Sequence, residues 1–101
     1  MHSPITIERV QINPNFANAY LNRGVTRSRL GDTQSAVADY NAALRINPNL
    51  AVAYLSRGIA RNEGGDKPGA MQDFQKAADL FQQQGDKNNY ERALNNLRKL
   101  Q

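Results

Sequence analysis

Ile12-Asn13-Pro14-Asn15 is written a second time in this chain as Ile46-Asn47-Pro48-Asn49, a step of 34 residues that the surrounding sequence keeps. Ala19-Tyr20-Leu21 returns as Ala53-Tyr54-Leu55, Arg23-Gly24 as Arg57-Gly58, and Gly31-Asp32 as Gly65-Asp66. Ala36, Asp39 and Ala43 return as Ala70, Asp73 and Ala77, all without a gap. A fixed period of this size is the signature of a helical repeat array, in which each unit buries its apolar face only against its neighbours.

Within each unit the small and apolar residues recur at helical spacing and the breaks fall at turn residues, which predicts two helices per unit. The first runs from about Phe16 to Leu30, with Asn15 as side-chain cap and Gly31 closing it. The second runs from about Thr33 to Ile46, capped by Asp32 and stopped at Asn47-Pro48, because proline disfavours helical geometry in the residue before it. Unit two repeats this, with helices over Ala51 to Asn62 and Pro68 to Gln84.

The chain then turns at Gly85-Asp86, and a last helix is expected from about Asn88 to Leu100. It carries Tyr90, Ala93, Leu94, Leu97 and Leu100 on one stripe and polar residues opposite, as a terminal cap requires. The expected organisation is a single domain over residues 1–101. Residues 1–14 form the end of a preceding partial repeat or an N-terminal cap, 15–48 and 49–84 the two full repeats, and 85–101 the capping helix. A half-unit left unpaired at the N-terminal end would expose Phe16 and Tyr20, which raises the expectation of a homo-oligomer or of a chain cut from a longer array.

A chain of 101 residues holds one small domain, and a domain of that size buries roughly 60 to 65% of its surface. With no cysteine there is no disulfide, thiolate metal site or cysteine nucleophile, and His2 is the only histidine. Neither a signal-like start nor a run of about 20 apolar residues is present, so a cytoplasmic protein with no membrane partner is expected. The net charge is +4, but the basic residues are spread from Arg9 to Lys99 among acids, which disfavours nucleic acid as a partner.

Tyr20 with Gly24, then Gly31-Asp32, Ala36, Tyr40, Ala43 and Pro48, repeated as Tyr54, Gly58, Gly65-Asp66, Ala70, Phe74 and Ala77, resemble the tetratricopeptide repeat. The likeness is close over residues 12–80 and extends to 101 through the capping helix. It implies an all-α fold, a right-handed superhelical stack of antiparallel helix pairs with a concave groove lined mainly by the first helix of each pair. The chain departs from the family pattern at Arg23 and Arg57, where leucine is usual, and at Arg27 and Arg61, where tyrosine is usual. A half-buried arginine needs a charge partner, so ion pairs of Arg23 with Asp39 and Arg57 with Asp73 are expected across each hairpin. Gly24 is expected opposite Ala36 and Gly58 opposite Ala70, with the aromatics filling the gaps between units.

Helical geometry turns the side chains not used in packing toward the groove: Asn18, Leu21, Asn22, Val25 and Arg29 in unit one, and Val52, Leu55, Ser56, Ile59 and Asn62 in unit two. Leu21, Val25, Leu55 and Ile59 would make an apolar strip edged by amides, suited to a peptide or protein segment with apolar anchors. Chaperone-binding relatives grip a terminal carboxylate with Lys and Asn on these faces; here Leu21, Val25 and Ser56 stand there, so that clamp is missing. Gly64-Gly65-Asp66-Lys67-Pro68-Gly69 places Ala70 and Met71 where a phosphate-cradling loop needs Lys and Ser or Thr, and reads as a turn. No acid/base pair can be assembled from Glu8, Glu63 and Glu91, so neither catalysis nor a cofactor is expected. The function read from the sequence is a protein-interaction adaptor that holds a segment in its groove. The alternatives are a self-associating structural module and a nucleic-acid-binding helical repeat.

Overall fold

The computed structural model describes residues 14–101, and the reading of the stretch before Pro14 lies outside them. Five helices follow one another: α1 Pro14–Arg29, α2 Thr33–Ile46, α3 Ala51–Glu63, α4 Lys67–Gln83 and α5 Lys87–Leu100. No strand occurs among the described residues.

Three turns of one kind reverse the chain. In each, a glycine takes a left-handed backbone conformation, at φ 85° in Gly31, 90° in Gly65 and 74° in Gly85, a region open to glycine at little cost. The following amide reaches back to the ending helix: Asp32 N donates to Arg27 O at 2.9 Å, Asp66 N to Arg61 O at 2.8 Å and Asp86 N to Phe81 O at 2.9 Å. The aspartate then caps the next helix, accepting from the amides of Ser35, Gly69 and Asn89. Gly64-Gly65-Asp66 is thus a turn, with the Asp66 carboxylate committed to capping α4.

The connection between the two repeats is built differently. Asn47 Oδ1 accepts from Asn49 N at 3.1 Å, and Leu50 stands at the N-cap of α3 with no side-chain cap bond. At the corresponding place upstream, Pro14 opens α1 and Asn15 lies inside its first turn. The sequence reading put Asn15 at the cap; proline's fixed φ suits the first helical turn and carries the helix start past it.

Helices pack in chain order, α1 on α2, α2 on α3, α3 on α4 and α4 on α5, with α1 also touching α3. One apolar cluster gathers Leu21, Ala36, Tyr40, Ala43, Leu44, Ala53 and Ala60. A second gathers Leu55, Ala70, Phe74, Ala77, Ala78, Phe81, Ala93 and Leu97, and Tyr54 packs against both. Alanines at the crossings let the backbones come close, and the rings fill what remains. The nearest side-chain atoms to a Cβ built on Gly24 belong to Tyr40, at 2.6 Å, and to Asp39, at 3.2 Å; on Gly58 they belong to Phe74, at 2.6 Å, and Asp73, at 3.2 Å. The glycines therefore make room for a ring and the carboxylate stem beside it, where the sequence reading had set Ala36 and Ala70. Phe81, fully buried between α4 and the cap, was not singled out in the sequence because it has no counterpart one period earlier.

Candidate functional site: the concave cleft and its arginine clusters

Each hairpin holds one buried carboxylate between two arginines. Asp39, 2% exposed, accepts from Arg23 Nε at 3.0 Å and Nη2 at 2.8 Å, and Arg27 Nη1 lies 3.3 Å from its Oδ2. Asp73 accepts from Arg57 Nε at 3.0 Å and Nη2 at 2.8 Å, and from Arg61 Nη1 at 3.1 Å. The fork of the guanidinium matches the two carboxylate oxygens, which fixes both side chains. Arg23 and Arg57 also lie over the rings of Tyr20 and Tyr54, 5.4 Å from each centroid. The hydrogen bonds and charge of Asp39 raise the Arg23 guanidinium above its already high ordinary value.

Arg27 and Arg61 as second partners of the same carboxylates were not foreseen. Their signal is a spacing of twelve to the aspartate, one turn of α1 or α3 beyond the spacing of sixteen that reveals Arg23 and Arg57. The two clusters are not equal. Arg57 Nη1 donates to Asn41 Oδ1 on α2 at 2.8 Å, and its side chain is 17% exposed against 54% for Arg23. The neighbouring hairpin covers Arg57; among the described residues, nothing packs on the corresponding face of α1.

The side chains expected in the groove divide by burial. Leu21 and Leu55 lie buried in the two core clusters, Val25 and Ile59 are half-buried against them, and Val52 is exposed. Asn18, Asn22, Arg29 and Asn62 are exposed and Ser56 is half-buried. Leu21 and Leu55 are spent on packing, so the apolar surface left to a ligand comes from Val25, Val52 and Ile59.

Three helices bring part of this set together. Val25, Ser28 and Arg29 of α1, Ser56 and Ile59 of α3, and Arg92 of α5 line one open cleft of about 280 Å³ over the Tyr40 ring. Arg92 was assigned to the polar side of the cap, and only the packing of α5 turns it onto this cleft. Burial pushes the Tyr40 phenol above its ordinary value near 10, opposed by the Ser56 hydroxyl beside it and reinforced by Glu63 and Asp39. Among the described residues no group of three His, Cys, Asp or Glu could hold a metal ion, and no helix is long and apolar enough to cross a membrane.

Consecutive helix hairpins with a 34-residue step define an α-solenoid. The tetratricopeptide-repeat family model matches residues 17–50, from α1 to the turn after α2, and the helices beyond pack on as such an array does. Residues 17–50 thus carry a tetratricopeptide repeat, of a family that commonly mediates protein–protein interaction, and the five helices are consistent with an array of such repeats. A search of curated proteins returns no match.

Proposed function

We propose that the chain is a non-catalytic interaction module, two repeats and a capping helix, that binds a segment of a partner protein along the face formed by α1, α3 and α5. Its chief support is the cleft in which these three helices place side chains together. A half-buried apolar floor with hydroxyl and guanidinium groups at its edge suits an extended or helical peptide, whose apolar anchors go down and whose polar backbone stays at the rim.

The test compares proteins captured from a lysate by the wild type, by Asn22→Glu with Val52→Glu in the groove, and by Gln72→Glu with Lys76→Glu on α4. All four positions are exposed, so each variant keeps the helical melt of the wild type. Partners lost only from the groove variant support the proposal. Equal retention by all three removes it.

Self-association is the second reading. It is favoured by Phe16, 42% exposed, which lines a shallow cleft on α1 with Ala19, Tyr20 and Arg23. Light scattering over a range of concentrations gives a fixed species above monomer if that face pairs copies, and a monomer throughout if it does not.

A further inference from the structure

α1, α3 and α5 differ in charge from α2 and α4. α1 carries three arginines and no acid, α3 two arginines against Glu63, and α5 four basic residues against Glu91. α2 and α4 carry as many acidic residues as basic ones. Four of the arginines are bound, two on Asp39 and two on Asp73.

Arg29 and Arg92 are different. Neither forms an ion pair among the described residues; Arg92 Nη1 donates to the amide oxygen of Asn89 at 3.2 Å, which leaves its charge uncompensated. Both are exposed, and both line the cleft that holds Val25, Ser28, Ser56 and Ile59. Asp39 is already held by two arginines, and Glu63 does not line the cleft.

Resting on the groove reading above, we propose that this cleft receives an acidic side chain, Asp or Glu, of a partner peptide between Arg29 and Arg92, with an adjacent apolar side chain against Val25 and Ile59. The carboxylate takes charge-assisted hydrogen bonds from the guanidiniums, and the Ser28 hydroxyl supplies a further donor. Such pairs select the partner and speed encounter through charge complementarity. A nucleic-acid strand is held by many phosphate contacts and by stacked bases. Two free cations over a buried Tyr40 ring offer neither.

The test pans a random dodecapeptide library against the wild type and against Arg29→Gln with Arg92→Gln, the single substitutions run beside it. These positions break no ion pair, so the variants melt as the wild type does. The wild type enriches Asp or Glu next to an apolar residue. A synthetic peptide of the selected consensus, followed by fluorescence anisotropy, binds about tenfold more weakly to the double variant and loses affinity as salt rises. Selected peptides without an acidic excess, or bound equally by the double variant, overturn the inference. The groove reading still stands if Asn22→Glu with Val52→Glu abolishes their binding. No enrichment at all overturns both, and a uridine oligonucleotide that binds more tightly than the selected peptide overturns the inference in favour of nucleic acid.

Discussion

Asp73→Asn and Asp39→Asn remove the same group from the same place in two successive repeats, yet the structure assigns them different costs. Asp73 accepts three hydrogen bonds, at 3.0, 2.8 and 3.1 Å, from Arg57 and Arg61, whose side chains are 17% and 27% exposed. Removing one partner of a buried ion pair costs about 3–5 kcal/mol, because the charge left behind is poorly solvated. Asparagine keeps one acceptor and the arginines keep some water, which sets the expected loss for Asp73→Asn at about 3 kcal/mol. Arg23 and Arg27 are 54% and 37% exposed, so water takes over much of what Asp39 provides, and the loss there falls to about 1.5 kcal/mol. At roughly 4–8 °C per kcal/mol for a domain of this size, thermal melts followed by circular dichroism drop by roughly 12–24 °C for Asp73→Asn and roughly 6–12 °C for Asp39→Asn. Equal drops, a larger drop for Asp39→Asn, or no drop in either would refute the solvation argument.

Two further outcomes test the packing and the buried phenol. Gly58→Ala gains about 1 kcal/mol of helix propensity but sets a Cβ 2.6 Å from Phe74 Cε1 and 2.8 Å from its Cδ1. A ring wedged between helices yields little, so urea unfolding shows a net loss of about 1–2 kcal/mol; a gain would mean that Phe74 swings aside freely. The Tyr40 phenol is raised by burial above its ordinary value near 10. The folded state therefore holds that proton more tightly than the unfolded chain. Its contribution is complete below pH 10 and is lost as the pH climbs through the raised value. Tyr40→Phe should flatten that alkaline fall in the melting temperature, and an identical fall in both proteins would assign it to other groups.

The period of 34, the Gly-Asp turns and the spacing of sixteen between Arg23 and Asp39 are local or regular features of the chain, and the sequence by itself determines the helix pairs from them. Backbone chemistry acts over a few residues, so a glycine before an aspartate ends one helix and starts the next wherever it stands. The observed helices start and stop within two residues of those expected.

Burial and convergence are another matter. Leu21 and Val25 lie one turn apart on α1, but only the approach of α2 and α3 buries the first and leaves the second half-open. Arg92 reads as one more solvated cation of a capping helix until the angle of α5 brings it to Arg29 across the cleft. Arg23 and Arg57 stand at equivalent places one period apart, yet Asn41 of the preceding hairpin packs on Arg57 and, among the described residues, nothing does so on Arg23. Which atoms lose water depends on neighbours distant in the chain, and that information exists only once the helices have packed.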